Sequence, residues 1–156
     1  KSFKSNSELK AKYFFKKSNF FTISDDSGFC VDCLNGKPGI YSARWAKKHG
    51  SFNRAMREVI SLVKKKKKNK KKKNTKAKFI CSLTFSFSAK KRITTTGIIL
   101  GNISDKILGK KGFGYDSIFI PKGSKKTFGQ MNQRKKILMD HRFIAFKKLK
   151  NKINIL

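Results

Sequence analysis

Thr22-Ile23-Ser24-Asp25-Asp26-Ser27-Gly28-Phe29-Cys30-Val31-Asp32-Cys33-Leu34-Asn35-Gly36-Lys37-Pro38-Gly39-Ile40-Tyr41-Ser42-Ala43-Arg44-Trp45-Ala46 is the stretch around which the rest of the sequence is organised. A β-rich run, Phe20 to Ile23, leads into two adjacent carboxylates, Asp25 and Asp26, and Ser27-Gly28 is expected to turn the chain there. Two anions side by side repel each other, so a fold that keeps them together commonly supplies a cation. Hard oxygen ligands at a strand end suit Mg²⁺, which takes one or two carboxylates and leaves its other positions to water and substrate phosphate. Taken alone, Asp-Asp-Ser-Gly is also ordinary loop chemistry.

Outward from this stretch, composition sets bounds. The 156 residues fit one domain, with 15 Phe among the core candidates. Forty Lys and Arg against 8 Asp and Glu give a net charge of +32. Such an excess draws polyanions nonspecifically and says little about fold. Most of it is Lys, accompanied by Asn, Phe and Ile, residues that share AT-rich codons, so drift accounts for it as well as a nucleic-acid partner does; no specific nucleic-acid partner is expected. Cys30, Cys33 and Cys81 form no disulfide framework, which fits a reducing cytoplasm. Cys30-Val31-Asp32-Cys33 lacks the second ligand pair of a structural zinc site, and its cysteines read as small core residues. No run approaches the roughly 18 apolar residues of a membrane span.

Element by element, Ser5–Lys17 reads as a helix with Leu9, Tyr13 and Phe14 on its apolar stripe. Asn35-Gly36-Lys37-Pro38-Gly39 is a strong turn signal. Phe52, Ala55, Met56, Val59, Ile60 and Val63 recur at helical spacing behind Ser51 as cap. Lys64–Lys73, nine lysines and one asparagine, is expected to fray into a Lys-rich loop over residues 64–76. Phe79, Cys81, Leu83, Phe85 and Phe87 alternate with mostly Ser and Thr, predicting a half-buried strand with those five facing inward. Ala89-Lys90-Lys91 turns it into a second strand from Ile93 to Leu100. Ser117–Pro121 is a short strand. From Asn132 the chain is helical to near Leu149, with a bend where Asp140 caps the last helix. Strands and helices so mixed indicate α/β or α+β.

Three groups carry chemistry: Asp25-Asp26-Ser27-Gly28; the loop Gly112-Phe113-Gly114-Tyr115-Asp116; and Lys136 with His141-Arg142. Glycines admit a ligand close to the backbone, a Phe face stacks on a flat base, and Asp116 can accept from a base N–H. A metal site, a stacking aromatic and cationic donors together describe a nucleotide pocket. Set against this, each group has an ordinary structural reading as loop or surface.

The string Asp25-Asp26-Ser27-Gly28-Phe29-x-Val31-Asp32-x-Leu34-Asn35-Gly36-x-Pro38-Gly39-Ile40-Tyr41-Ser42-Ala43-Arg44-Trp45-Ala46 resembles the signature of the inosine triphosphate pyrophosphatase family, the dITP/XTP pyrophosphatases. Gly112-Phe113-Gly114-Tyr115-Asp116-x-Ile118-Phe119-Ile120-Pro121, Lys126-Thr127-Phe128-x-x-Met131 and His141-Arg142-x-x-Ala145-x-Lys147-Lys148-Leu149 are similar to the rest of its pattern, in order. The resemblance implies a single α/β domain over 1–156, with a central mixed sheet, flanking helices in two lobes, a nucleotide cleft between them and a homodimer. It implies Mg²⁺-dependent hydrolysis of non-canonical purine nucleoside triphosphates to the monophosphate and pyrophosphate. By position, Asp26 matches the catalytic metal ligand and proton acceptor, Asp25 its metal-site neighbour, and Ser27 a substrate contact. Phe113, Gly114, Tyr115 and Asp116 match the nucleotide-binding loop, and Lys136, His141 and Arg142 the remaining substrate positions.

Four departures stand beside the match. The family's opening strand and Thr/Ser-Gly-Asn-x-x-Lys loop do not occur in this sequence, which implies a missing N-terminal portion. Ser5 stands where the family has Glu, Asp140 where it has the Ser of Ser-His-Arg, and Ser117 where Pro follows Tyr-Asp.

Overall fold

Strand β1 (Thr22–Val31) runs straight through the two aspartates. Ser27-Gly28 does not turn the chain, contrary to the expectation from sequence. Phe29, Cys30 and Val31 beyond it are buried, and an apolar run of this kind stays in the sheet. The turn comes later, at a 3-10 segment Asp32–Leu34 followed by Asn35 and Gly36 at positive φ. Strand β2 (Pro38–Gly39) then returns antiparallel, Phe29 opposite Gly39 and Cys30 opposite Pro38.

The computed structural model describes residues 1–68 and 74–154. The helices are α1 (Phe3–Ser18), α2 (Ser42–Lys48), α3 (Phe52–Lys68), α4 (Gln133–Ile137) and α5 (His141–Ile153). Strands β3 (Lys76–Ser86), β4 (Arg92–Ile103) and β5 (Phe119–Pro121) complete a five-stranded sheet in the order β2-β1-β3-β4-β5. Strand β5 lies antiparallel on β4, Asn102 opposite Ile120. The α/β class read from the sequence holds.

By its internal contacts the chain forms two compact units, and β1, β3 and β4 give residues to both. One comprises Lys1–Ser27, Ile80–Ile98 and Met139–Leu156. Here α1 packs on the sheet through small and polar groups. Ser7 and Ala11 are its buried positions, while Leu9, Tyr13 and Phe14, the stripe expected inside, are exposed. Strand β3 answers in kind: Ser82, Thr84 and Ser86 are buried, whereas Leu83, Phe85 and Phe87 are only half-buried. The inward face predicted for β3 therefore holds at Phe79 and Cys81 and reverses beyond them. Hydrogen bonds explain the reversal. Ser7 Oγ meets Thr84 Oγ1 at 2.8 Å, Thr84 meets Thr94 at 3.0 Å, and Thr94 Oγ1 donates to Glu8 at 3.0 Å. A hydroxyl buried with partners carries no desolvation deficit, so the polar face can take the inside.

Helix α5 crosses β4 at Gly97. A Cβ there would lie 2.1 Å from the His141 carbonyl oxygen and 2.4 Å from the Ala145 nitrogen, so the close approach requires glycine. Asp140 caps α5 as expected, accepting from the Phe143 N–H at 2.9 Å.

The second unit, Gly28–Phe79 with Ile99–Leu138, holds the aromatic core. Phe29 stacks on Tyr115 at 5.1 Å and lies 4.9 Å from Phe79, which meets Phe119 edge-on at 4.9 Å. Phe128 joins at 5.2 Å from Phe119. Helix α3 buries Ala55, Met56, Val59, Ile60 and Val63, as its period predicts, and Ser51 Oγ accepts from the Arg54 N–H. It does not fray at Lys64. Lysine is a good helix former and its charge suits a helix C-terminus, so the helix continues to Lys68. Residues 69–73 of the Lys-rich tract lie outside the described residues.

Candidate active site

Because β1 stays extended, Asp25 and Asp26 project to opposite faces of the sheet. Asp26 faces α1. Its Oδ2 accepts from Asn6 Nδ2 at 3.0 Å and its Oδ1 from Lys10 Nζ at 3.0 Å. Asn6 and Lys10 are one turn apart on α1 and so reach the same carboxylate. Lys10 Nζ also donates to the Asp25 carbonyl. Both oxygens of this half-buried carboxylate are thus held by donors.

Asp25 looks the other way. Its Oδ2 accepts from Ser27 Oγ at 2.9 Å and lies 3.6 Å from Arg142 Nε, on the first turn of α5. Beside them sits Cys81, whose thiol is pushed above its usual range by burial, with a counteracting hydrogen bond from Ser27. His141 is buried at the start of α5, its Nε2 3.4 Å from an Arg142 nitrogen. Asp25, Ser27 and Arg142 are therefore assembled on one face, and Asp26, Asn6 and Lys10 on the other.

The donor set bears on metal binding. Two carboxylates on opposite faces are not a chelating pair. Among the described residues no group of three or more His, Cys, Asp or Glu side chains is placed to enclose a metal ion. One carboxylate is nonetheless enough for Mg²⁺ when phosphate oxygens and water fill the other positions. Asp26 fits that role.

In the second unit the loop from Gly112 to Asp116 is held from within. Asp116 is 4 % exposed, and its Oδ2 accepts from the Phe113 N–H at 2.8 Å and from Lys136 Nζ at 2.7 Å. Gly112, at φ 79°, passes so near that a Cβ would lie 2.2 Å from that oxygen. Lys136 is 4 % exposed, its ammonium 5.2 Å from the Phe113 ring centre and 5.5 Å from that of Phe128. Tyr115 is buried in the aromatic core, donates to the Ser42 carbonyl at 3.1 Å, and has its hydroxyl pushed up to about 12 by burial. The Phe113 ring, 62 % exposed, is the side chain this loop presents outward, with Gly114 beside it at φ 65°.

Asn6, Lys10 and Gly97 were not singled out from the sequence. Asn6 and Lys10 look like two polar positions on a Lys-rich helix, and only their spacing of four hints at a shared partner. Gly97, a glycine in the interior of β4, is the recognisable signal of close backbone approach.

The sequence profile of the Ham1 family matches residues 1–152. A dITP/XTP pyrophosphatase of Dictyoglomus thermophilum is 40% identical over 151 residues, covering 96% of this chain and 71% of the relative. One from Campylobacter jejuni subsp. jejuni is 39% identical over 162 residues, covering 100% of this chain and 78% of the relative. Among solved structures, the Staphylococcus aureus Ham1 protein matches with a TM-score of 0.87 at 32% identity, over 99% of this chain and 77% of that one. A HAM1 protein from Coxiella burnetii matches with a TM-score of 0.90 at 25% identity, over 99% and 78%. Profile, relatives and fold agree, and the chain belongs to the Ham1 family.

Proposed function

We propose that this protein hydrolyses non-canonical purine nucleoside triphosphates, dITP, ITP and XTP, to the monophosphate and pyrophosphate, clearing them from the nucleotide pool. The observation that carries the reading is Asp26: a half-buried carboxylate fixed at both oxygens by Asn6 and Lys10, within the motif that resembles the dITP/XTP pyrophosphatases. Water breaks the phosphoanhydride between the α and β phosphorus atoms, and Asp26 orients that water and takes its proton. Asp26, with Asp25 next to it in the strand but on the opposite face, would hold Mg²⁺, which would supply neutralisation of triphosphate charge and polarisation of the attacked phosphorus. Ser27 contacts the substrate from the same strand.

The base is the business of the other residues. Phe113 offers an open ring for stacking and Gly114 leaves room beside it. Asp116, Tyr115 and Lys136 hold that loop in shape. His141 and Arg142 donate to the purine C6 oxygen, which adenine lacks. The contact with Asp25 that Arg142 would exchange for it is partly exposed and weak. A site built on such a hydrogen bond discriminates by about 10⁴. The protein acts as a homodimer in the cytoplasm, a reducing compartment that suits a chain with three cysteines and no disulfide framework in its sequence. No helix among the described residues is long and apolar enough to cross a membrane.

Pyrophosphate release from ITP, XTP, dITP, GTP and ATP, with and without Mg²⁺, is the test. Release from the first three with Mg²⁺, reduced at least roughly 100-fold by Asp26→Asn, is the expected result. Equal rates in the variant would remove Asp26 from the mechanism, and equal rates for ATP would remove the proposed specificity.

A further inference from the structure

Helix α2 and the turn before it line a cavity of about 320 Å³ that shares no residue with the candidate active site. Its cationic wall is Lys37, Arg44 and Lys48; its flat wall is Tyr41, Trp45 and His49. The spacing accounts for the grouping: Tyr41, Trp45, Lys48 and His49 fall at i, i+4, i+7 and i+8, on one face of the helix and its caps. The rings are set for stacking. Trp45 and His49 lie 6.0 Å apart at 23°, and the Arg44 guanidinium lies 5.1 Å from the Tyr41 ring centre.

Two features mark this as more than a surface dent. Among the described residues no carboxylate lines the cavity and none forms an ion pair with Lys37, Arg44, Lys48 or His49, so its wall is strongly positive. Trp45 Nε1 is buried without an acceptor among the described residues, although buried indole N–H groups ordinarily find one. Leaving such a donor unmet costs about 1–3 kcal/mol. A ligand that brings both negative charge and an acceptor relieves both. The volume stands near the lower end of small-ligand pockets, roughly 300–1,000 Å³, a size suited to a ligand as small as a mononucleotide.

We propose that this cavity is a binding site for a nucleoside monophosphate, its phosphate held by Lys37, Arg44 and Lys48 and its base stacked against the Tyr41–Trp45–His49 wall. The proposal does not depend on the hydrolytic reading, though a monophosphate is also that reaction's product. Engaging the indole N–H requires the ring to shift, and Trp45 is the chain's one tryptophan, so all tryptophan emission comes from the wall of this cavity.

Trp45 fluorescence should be titrated with IMP, AMP, inosine and inorganic phosphate, on the full chain and on Asp26→Asn. The expected result is a saturable change with either monophosphate. Affinity should be at least tenfold weaker with inosine or phosphate alone, unchanged in Asp26→Asn and at least tenfold weaker in Lys37→Gln/Lys48→Gln. Both lysines are exposed, so that variant keeps the fold; its far-ultraviolet circular dichroism should match the parent. No saturable change, equal binding of inosine, or full binding by the double variant would each overturn the proposal. A response lost in Asp26→Asn but kept in the lysine variant would place the monophosphate at the candidate active site instead.

Discussion

At the scale of single residues, the buried pair Lys136–Asp116 shows how little a residue's type says about its job. Both read from sequence as substrate contacts, and both are enclosed, joined at 2.7 Å with the Phe113 N–H as third member. Removing one partner of a buried pair strands the other's charge. Lys136→Met should therefore lower stability by about 3–5 kcal/mol in urea unfolding, and adding Asp116→Leu should recover part of that loss. Equal stability of the single variant and the parent would show the pair to be dispensable. Cys30 makes a second prediction. Burial is the main cause that pushes its thiol up to about 11 from an ordinary value near 9.0. The unfolded chain thus loses this proton first. Stability is whole below pH 9 and falls as pH rises from 9 to 11, and Cys30→Ala should flatten that part of the urea-midpoint profile. Identical slopes in the two proteins would count against it.

At the scale of elements, legibility tracks the kind of signal. Helix α3, the β3–β4 hairpin and the Asp140 cap were readable, because apolar period, turn residues and capping chemistry are local. The length of β1 was not: Ser27-Gly28 looks like a turn, and only burial of the residues after it decides otherwise. The inward faces of α1 and of the far half of β3 were misread for a related reason. Hydropathy ranks Leu9 above Ser7 and Phe85 above Thr84, yet hydroxyls that find each other across an interface can be the ones enclosed. The candidate site was half legible. Asp26 and the Gly112–Asp116 loop stood out by type and spacing, while Asn6 and Lys10 became visible only when α1 docked on β1. The crossing of α5 on β4 makes the prediction proper to this scale. Gly97→Ala would set a methyl 2.1 Å from the His141 carbonyl, against backbone that cannot yield as a side chain can. It should cost more than Asp140→Ala, for which about 1 kcal/mol is expected from the lost cap. Thermal melts of the two variants give the order, and a reversed order would mean that α5 is free to lift.

At the scale of the whole molecule, charge and exposed apolar surface pull in opposite directions. A net +32 keeps copies apart at low salt. Yet Phe20 and Phe21 are 77 % and 74 % exposed, adjacent apolar side chains that a second copy would cover. Sedimentation should therefore show a dimer that tightens as salt screens the lysines, and Phe20→Ser/Phe21→Ser should shift it toward monomer; a monomer under all these conditions would end the homodimer reading. The hydroxyl-lined seam between α1 and its sheet also reaches this scale, through heat capacity. Wetting apolar surface raises it and wetting polar surface lowers it, so a seam of serines and threonines adds little curvature to the temperature profile of folding. Chilling, which weakens greasy contacts first, would leave α1 seated while other parts of the protein loosened.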